Sequence, residues 1–283
     1  MLIAVGARPR EAIQGALTFR GQTDVPEVRA LLRDLDEGLV QRVVFALPGG
    51  ATWPLPLYEL AILTADHLAR TGNTLAELAV VTPEDAPLAL LDGEASRAVQ
   101  EELDRRGIEV VTGAYPDAFR NGELRLVPGT SIPADRVVSL PRLRGVPIAG
   151  VPQDSDFFIP TDGTGLVSGL TDVYAAGDIT TFPIKQGGLA AQQADAVADA
   201  IAARAGAAVT PKPFAPVLRG LLLTGSLPLY VRAELSGGRG ESSAAANEAL
   251  WWPPGKIAAR HLAPYLAQYA GLVYEPAEAE SVS

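Results

Sequence analysis

The chain of 283 residues contains no cysteine. Disulfides, zinc-thiolate sites, iron–sulfur ligation and a redox-active thiol pair are therefore excluded. Histidine is nearly absent as well: His67 and His261 are the only two, and neither HExxH nor GxSxG spacing occurs. That inventory is too thin for a metal centre, so no metal ligands are assigned, and hydrolase chemistry has no support. Both histidines read as helix-surface residues. Positive charge is scarce too, with a formal net charge of -10. Nucleic-acid binding needs basic patches that displace counterions, so a nucleic-acid partner is not expected. No basic leader with an apolar stretch opens the chain and no 18-residue apolar run occurs. No signal peptide or spanning helix is thus visible, and the expected location is cytoplasmic.

What is present is an α/β alternation with 48% hydrophobic residues, ordinary for a globular chain. Met1 to Val5 is an apolar strand closing on Gly6-Ala7-Arg8-Pro9, and Val28, Leu31, Leu32 and Leu35 mark a helix over residues 25–35. Arg42 to Leu47 is a continuous apolar run suited to a parallel strand buried on both faces. A helix around 57–68, a strand at 78–81, a charged-faced helix at 94–106 and a strand at 109–112 follow. Together they predict a βαβαβ unit ending near Pro141, a nucleotide-domain-like module inserted between two parts of something else.

The most informative run is Thr171 to Asp178, TDVYAAGD, followed by Lys185-Gln186-Gly187-Gly188 and an alanine-rich helix. A strand, a glycine turn and a helix N-terminus make a seat for an anionic or polyhydroxylated cofactor, because the backbone approaches closely and N–H groups point at it. Gly177 permits the approach, and Asp178 at the strand end is placed to accept hydrogen bonds from a polyol. By contrast Gly163, Gly165 and Gly169 have GxGxxxG spacing, and a hairpin at Asp162-Gly163 is the expected context.

With KQGGLAAQQADAVADAIA after it, this run resembles the second FAD fingerprint of the pyridine nucleotide-disulfide oxidoreductase superfamily, and most closely the sulfide:quinone oxidoreductase and type II NADH dehydrogenase group. The resemblance implies an α/β, Rossmann-like FAD/NAD(P)-binding three-layer fold with a second dinucleotide-type domain inserted. Residues 1–40 and 142–206 would form the FAD part, 41–141 the inserted domain and 207–283 a C-terminal interface segment. The family's N-terminal GxGxxG segment has no counterpart here, and the chain opens on the later "ATG"-like strand. The FAD part is thus expected to be incomplete, either through truncation or because a partner or second copy completes it. Gly6, Ala7 and Arg8 match the strand end that borders FAD in those relatives; an ordinary turn-glycine exit is the alternative. The resemblance likewise lays Lys185, Gln186, Gly187 and Gly188 along the flavin. There Lys185 and the helix dipole would stabilise negative charge at the pyrimidine end, unless Lys185 is a solvated loop lysine and Gln192, Gln193 and Asp195 a polar helix face.

The inserted module departs from a nicotinamide-binding pattern. In place of GxGxxG it carries Pro48-Gly49-Gly50-Ala51-Thr52-Trp53-Pro54-Leu55-Pro56-Leu57-Tyr58-Glu59, stiff with three prolines, and Trp53 and Tyr58 compete for the pyrophosphate space. Glu84, after Thr82-Pro83, lies near a ribose-reading position. NAD(P)H binding and a vestigial scaffold both remain open. The expected function is an FAD-dependent oxidoreductase passing electrons from a small-molecule donor to an acceptor such as a quinone. Without cysteine, no thiol relay intervenes. The alternatives are a non-catalytic scaffold that has lost autonomous flavin binding and an NAD(P)H dehydrogenase. Toward the C-terminus, residues 206–216 leave the fold, Ser236 to Ala246 is expected to be mobile, and Trp251-Trp252-Pro253-Pro254 precedes an amphipathic helix with Ile257, Leu262, Leu266 and Tyr269 on related faces. The tryptophans suit an anchor for that helix, a quinone pocket or peripheral contact with a membrane.

Overall fold

A computed structural model describes residues 1–236 and 239–269. Its centre is a parallel sheet of five strands: β3 (Leu17–Thr18), β4 (Arg42–Ala46), β5 (Glu77–Val81), β6 (Glu109–Val111) and β10 (Arg136–Ser139). Their order is β3-β10-β4-β5-β6. β4 and β5 are buried along nearly their whole length, which is why their apolar residues run continuously instead of alternating. Helices α1 (Val25–Asp36), α2 (Leu55–Thr71) and α3 (Gly93–Arg105) cover one face, joining Leu35, Phe45, Leu57, Ile62, Val80, Val99 and Leu103 in one core. Gly72 ends α2 in the left-handed conformation.

The other face is closed by a meander that the sequence pattern does not predict: β7 (Tyr115–Arg120), β8 (Glu123–Val127) and β9 (Thr130–Pro133), all antiparallel. Leu124, Leu126 and Ala134 pack from there against Val44, Ala46, Ala79 and Val81. Its strands are short, and every second residue is exposed, which dilutes the apolar signal. β3 pairs with β10 at the edge of this sheet, and Leu31 and Leu35 of α1 share its core.

β1 (Leu2–Ile3) pairs in parallel with β12 (Tyr174–Ala175), with Leu2 opposite Tyr174 and Ile3 opposite Ala175. The pair joins segments far apart in the chain, and β1 is shorter than the Met1 to Val5 strand expected from the sequence. Two crossings join this pair to the central module. They form an antiparallel ribbon, β2 (Arg8–Arg10) against β11 (Arg142–Arg144). The turn at Asp162 is a hairpin: Thr161 bridges Val167 antiparallel, and the Asp162 carboxylate accepts from the Thr164 and Leu166 amides. Helix α4 (Gly187–Arg204) then packs Val197 and Ala200 against Tyr174 and Ala176.

After an extended stretch the chain forms a second antiparallel sheet, β13 (Val217–Leu222), β14 (Leu229–Ser236) and β15 (Arg239–Ala246). This corrects the expectation of a mobile segment for residues 239–246, while 237 and 238 lie outside the described residues. Its small residues serve close approach: a Cβ at Gly240 would stand 2.7 Å from the Leu91 carbonyl oxygen. Helix α5 (Leu262–Tyr269) buries Ala263 and Ala267 and leaves Leu262, Tyr265, Leu266 and Tyr269 outward. The expected apolar inner face is thus reversed, and Ile257 lies before the helix. Trp251 acts as an anchor, with its indole N–H donating to the Gly255 carbonyl at 2.9 Å and its ring edge-on to Tyr230. No described helix is long and apolar enough to cross a membrane.

Candidate functional site

The site grows from the parallel pair β1–β12. Ile3 sits opposite Ala175, so the segment leading to Gly6 and the turn at Gly177 leave the same end of two adjacent strands. Gly177 has φ 79°, and a Cβ there would lie 3.3 Å from that of Ala190 on α4. The turn is pinned from the helix: the Gly177 N–H donates to Gln193 Oε1 at 2.7 Å, and the Thr180 hydroxyl donates to the Gly177 carbonyl at 3.0 Å. The Gly177 N–H is therefore already bound and does not point at a ligand. Gln193, expected only as part of a polar helix face, is the residue that shapes this turn.

Asp178 is half-buried. Burial raises its pKa, the Lys185 charge pulls it down, and nothing among the described residues hydrogen-bonds its carboxylate. Lys185 is 6% exposed, which rules out a solvated loop lysine. Its ammonium donates to the Thr180 carbonyl and stands 4.0 Å from the centre of the Phe158 ring. Burial lowers its pKa to about 8 against the opposing pull of Asp178 and Asp154. Phe158 and Asp154 have no motif that would flag them; only the tertiary fold brings them to the lysine.

At the start of α4, Gln186 caps the helix, its Oε1 accepting from the Leu189 N–H at 2.8 Å. Its Nε2 donates to the Arg219 carbonyl at 3.0 Å. The side chain of Gln186 is thus engaged by the protein, while the Gly187 and Gly188 N–H groups have no partner among the described residues. A Cβ at Gly187 would meet Ile257. The Gly177–Asp178 turn, Lys185 and the start of α4 are tied together by the Gln193 bond and the Asp178–Lys185 charge pair, and Gly6 and Ala7 follow the strand paired with β12. Arg8 is an exposed ribbon residue opposite Arg144. Gln192, on the next turn, clamps β13 by bonding both the N–H and the carbonyl of Val217.

The inserted module presents the corresponding positions differently. Glu84, following β5, accepts from the Tyr58 hydroxyl at 2.5 Å and the Thr82 hydroxyl at 3.1 Å. Burial raises its pKa despite both bonds. Tyr58 is fully buried, so its ring lies in the core and not over a pyrophosphate seat. At the start of α2, Pro54 and Pro56 have no N–H to offer an anion. Trp53 and Leu55 instead meet Gly220 of β13, where a Cβ would come within 2.6 Å of Leu55. The start of α3 is capped by Ser243 of β15, whose hydroxyl accepts from the Glu94 and Ala95 amides. Both helix N-termini are covered by the C-terminal sheet. Among the described residues no cluster of three acidic or histidine side chains could hold a metal.

The family model of the pyridine nucleotide-disulphide oxidoreductases matches residues 1–197. The chain belongs to that family. Its chemistry is flavin-dependent oxidoreduction and its cofactor is FAD. No curated protein sequence matches the chain. Among solved structures, the sulfide:quinone oxidoreductase of the hyperthermophilic bacterium Aquifex aeolicus is similar over 96% of this chain and 73% of its own, at 15% identity and TM-score 0.75. The ferredoxin reductase for the CYP199A2 system from Rhodopseudomonas palustris is similar over 83% of this chain and 58% of its own, at 21% identity and TM-score 0.58. A NAD-dependent persulfide reductase from A. fulgidus is similar over 84% of this chain and 44% of its own, at 18% identity and TM-score 0.55. These likenesses establish the fold. The residues of the first site suit FAD: an unpartnered, partly desolvated carboxylate, a glycine turn and free helix N–H groups are what a polyol and a polarised ring require.

Proposed function

We propose that this protein works as an FAD-dependent oxidoreductase that draws electrons from a small-molecule donor other than NAD(P)H and passes them to a quinone. The observation that carries the reading is Asp178, a half-buried carboxylate beside a glycine turn that no group among the described residues hydrogen-bonds. It would accept from hydroxyls of the ribityl chain, Gly6 and Ala7 would border the cofactor, and Gly187 and Gly188 would turn their N–H groups toward its ring. When bound, the flavin supplies the two-electron chemistry. Lys185 supplies a positive charge held close by Phe158 and the Thr180 carbonyl. The residues before β3, together with residues 142–206, would form the FAD part around an inserted module that takes in β3 and α1.

The choice of donor rests on the inserted module, where the acid is engaged by Tyr58 and Thr82, two prolines replace helix donors and the C-terminal sheet covers both helix starts. The likeness to a sulfide:quinone oxidoreductase over nearly the whole chain supports a quinone acceptor. With no cysteine available, donor and flavin must meet directly. The test is to load the purified protein with FAD and follow quinone reduction. Turnover that ignores thiol alkylation, with no disulfide reduction and no saturable NADH binding, is expected. Saturable NADH binding would remove the donor assignment, and protein that never retains FAD would leave a non-catalytic scaffold.

A further inference from the structure

The C-terminal sheet has two unlike faces. Leu218, Leu222, Val231 and Ala233 point into the core against α2 and α3. On the opposite face, cross-strand partners line up in rows: Leu221 with Tyr230 and Ala246, then Arg219 with Arg232 and Ala244, then Val217 with Glu234 and Ser242. The middle row sets two guanidiniums directly opposite each other, an arrangement that destabilises a sheet. Arg232 has a partial remedy in Glu234, 3.0 Å away. Arg219 feels the same carboxylate without a hydrogen bond to it: its Nε is buried without a partner, and burial and then the Arg232 charge pull its pKa down against the opposing pull of Glu234. An N–H that has lost water and gained no acceptor is costly to hold, and an anion approaching the Arg219 fork is what would offset it.

The neighbouring row supplies the rest of a binding surface. Tyr230 lies beside Arg232 but is itself buried, and it backs the partly exposed Trp251 ring, which meets it edge-on at 5.1 Å between centroids. The Arg219 carbonyl is held by Gln186, the cap of α4, so the row adjoins the helix start that faces the proposed flavin. We infer that Arg219 and Arg232, with Tyr230 and Trp251, form a site for a small organic anion, a carboxylate or sulfonate on a planar apolar body. The two forks take the oxygens, and Trp251, backed by Tyr230, takes the body. That this ligand is the redox partner rests on the function proposed above; that it binds does not.

Equilibrium dialysis of the full chain against anthraquinone-2-sulfonate and its neutral counterpart 2-(hydroxymethyl)anthraquinone, each with and without FAD, tests the site. The wild type should bind the sulfonate saturably, one to one, and more weakly as salt rises. Arg219→Gln and Arg232→Gln should each weaken it about tenfold, the loss expected of one charge-assisted contact, without changing retention of the neutral ring. Urea midpoints separate binding from folding, because Arg219→Gln relieves a repulsion and should unfold no earlier than wild type. Equal retention of both rings, no saturable sulfonate binding, or a folded variant that binds like wild type would each overturn the inference. Arginine-dependent binding in a protein that takes up no FAD would leave this site standing and remove the flavin reading; FAD uptake without sulfonate binding would do the reverse.

Discussion

Two strand-end acids occupy comparable places in the two α/β halves of this chain, and they have opposite fates. Asp178 and Glu84 both follow a buried parallel strand, and burial raises the pKa of both. Glu84 accepts two hydroxyl hydrogen bonds from its own module, whereas Asp178 accepts none among the described residues. The helix starts beside them differ in the same sense. α4 keeps two glycine N–H groups open, while α2 begins with prolines and α3 is capped by a serine from another sheet. On the proposed reading, a dinucleotide scaffold is not by itself a nucleotide site. Competence depends on whether its acid and its helix donors are left without protein partners.

The sharpest way to break this comparison is to remove each acid's role in turn. Asp178→Ala should weaken FAD by one to two orders of magnitude, since hydrogen bonds to a charged group contribute roughly 1.5 to 3 kcal/mol. Equilibrium dialysis with flavin fluorescence measures it, and unchanged affinity in a folded variant would mean that Asp178 is not the polyol acceptor. Tyr58→Phe should leave FAD binding alone and cost about 1 to 3 kcal/mol of stability, because it strips a donor from buried Glu84. Urea unfolding reads this directly.

Glu84 also predicts a pH effect with a definite sign. Its folded pKa is raised above the usual carboxylate value, so the native state binds more protons than the unfolded chain between the two values. Stability should therefore fall as pH rises through that interval, and Glu84→Gln should flatten this part of the urea-midpoint profile. A wild-type profile that rises there, with no change in the variant, would contradict the assignment.

Lys185 gives a smaller effect on the flavin side. Removing its charge in Lys185→Gln should lower the flavin midpoint potential by some tens of millivolts, roughly 30 mV for each tenfold loss of stabilisation in a two-electron couple. Because the lysine pKa lies at about 8, the gap between variant and wild type should be full below that pH and shrink above it. Redox titration at several pH values follows both. Smallest of all, Ser243→Ala removes the cap on α3 and should cost about 1 kcal/mol with no change in FAD binding.

Local patterns made much of the architecture legible. Continuous apolar runs at β4 and β5, helical spacing over Val28 to Leu35, and the TDVYAAGD strand end with its glycine-rich helix start are all short-range signals. Each appears in the structure close to where its pattern puts it. The meander β7 to β9 escaped because its strands are short and alternate with charged residues. The strand β15 escaped because glycine and serine read as a loop, although here they permit contact with Leu91 and cap α3.

The amino-acid sequence by itself determined the absence of thiol chemistry, the lack of a metal inventory and the residues available to meet a flavin. Those follow from composition and from neighbours along the chain. Which of these residues are free to act was decided only by the tertiary structure. Lys185 against Phe158, Gln193 on the Gly177 amide, Glu84 held by Tyr58, and Arg219 facing Arg232 all join residues from separate segments. Burial removes water from such groups and leaves the fold to supply their partners or withhold them, and no local pattern encodes that difference.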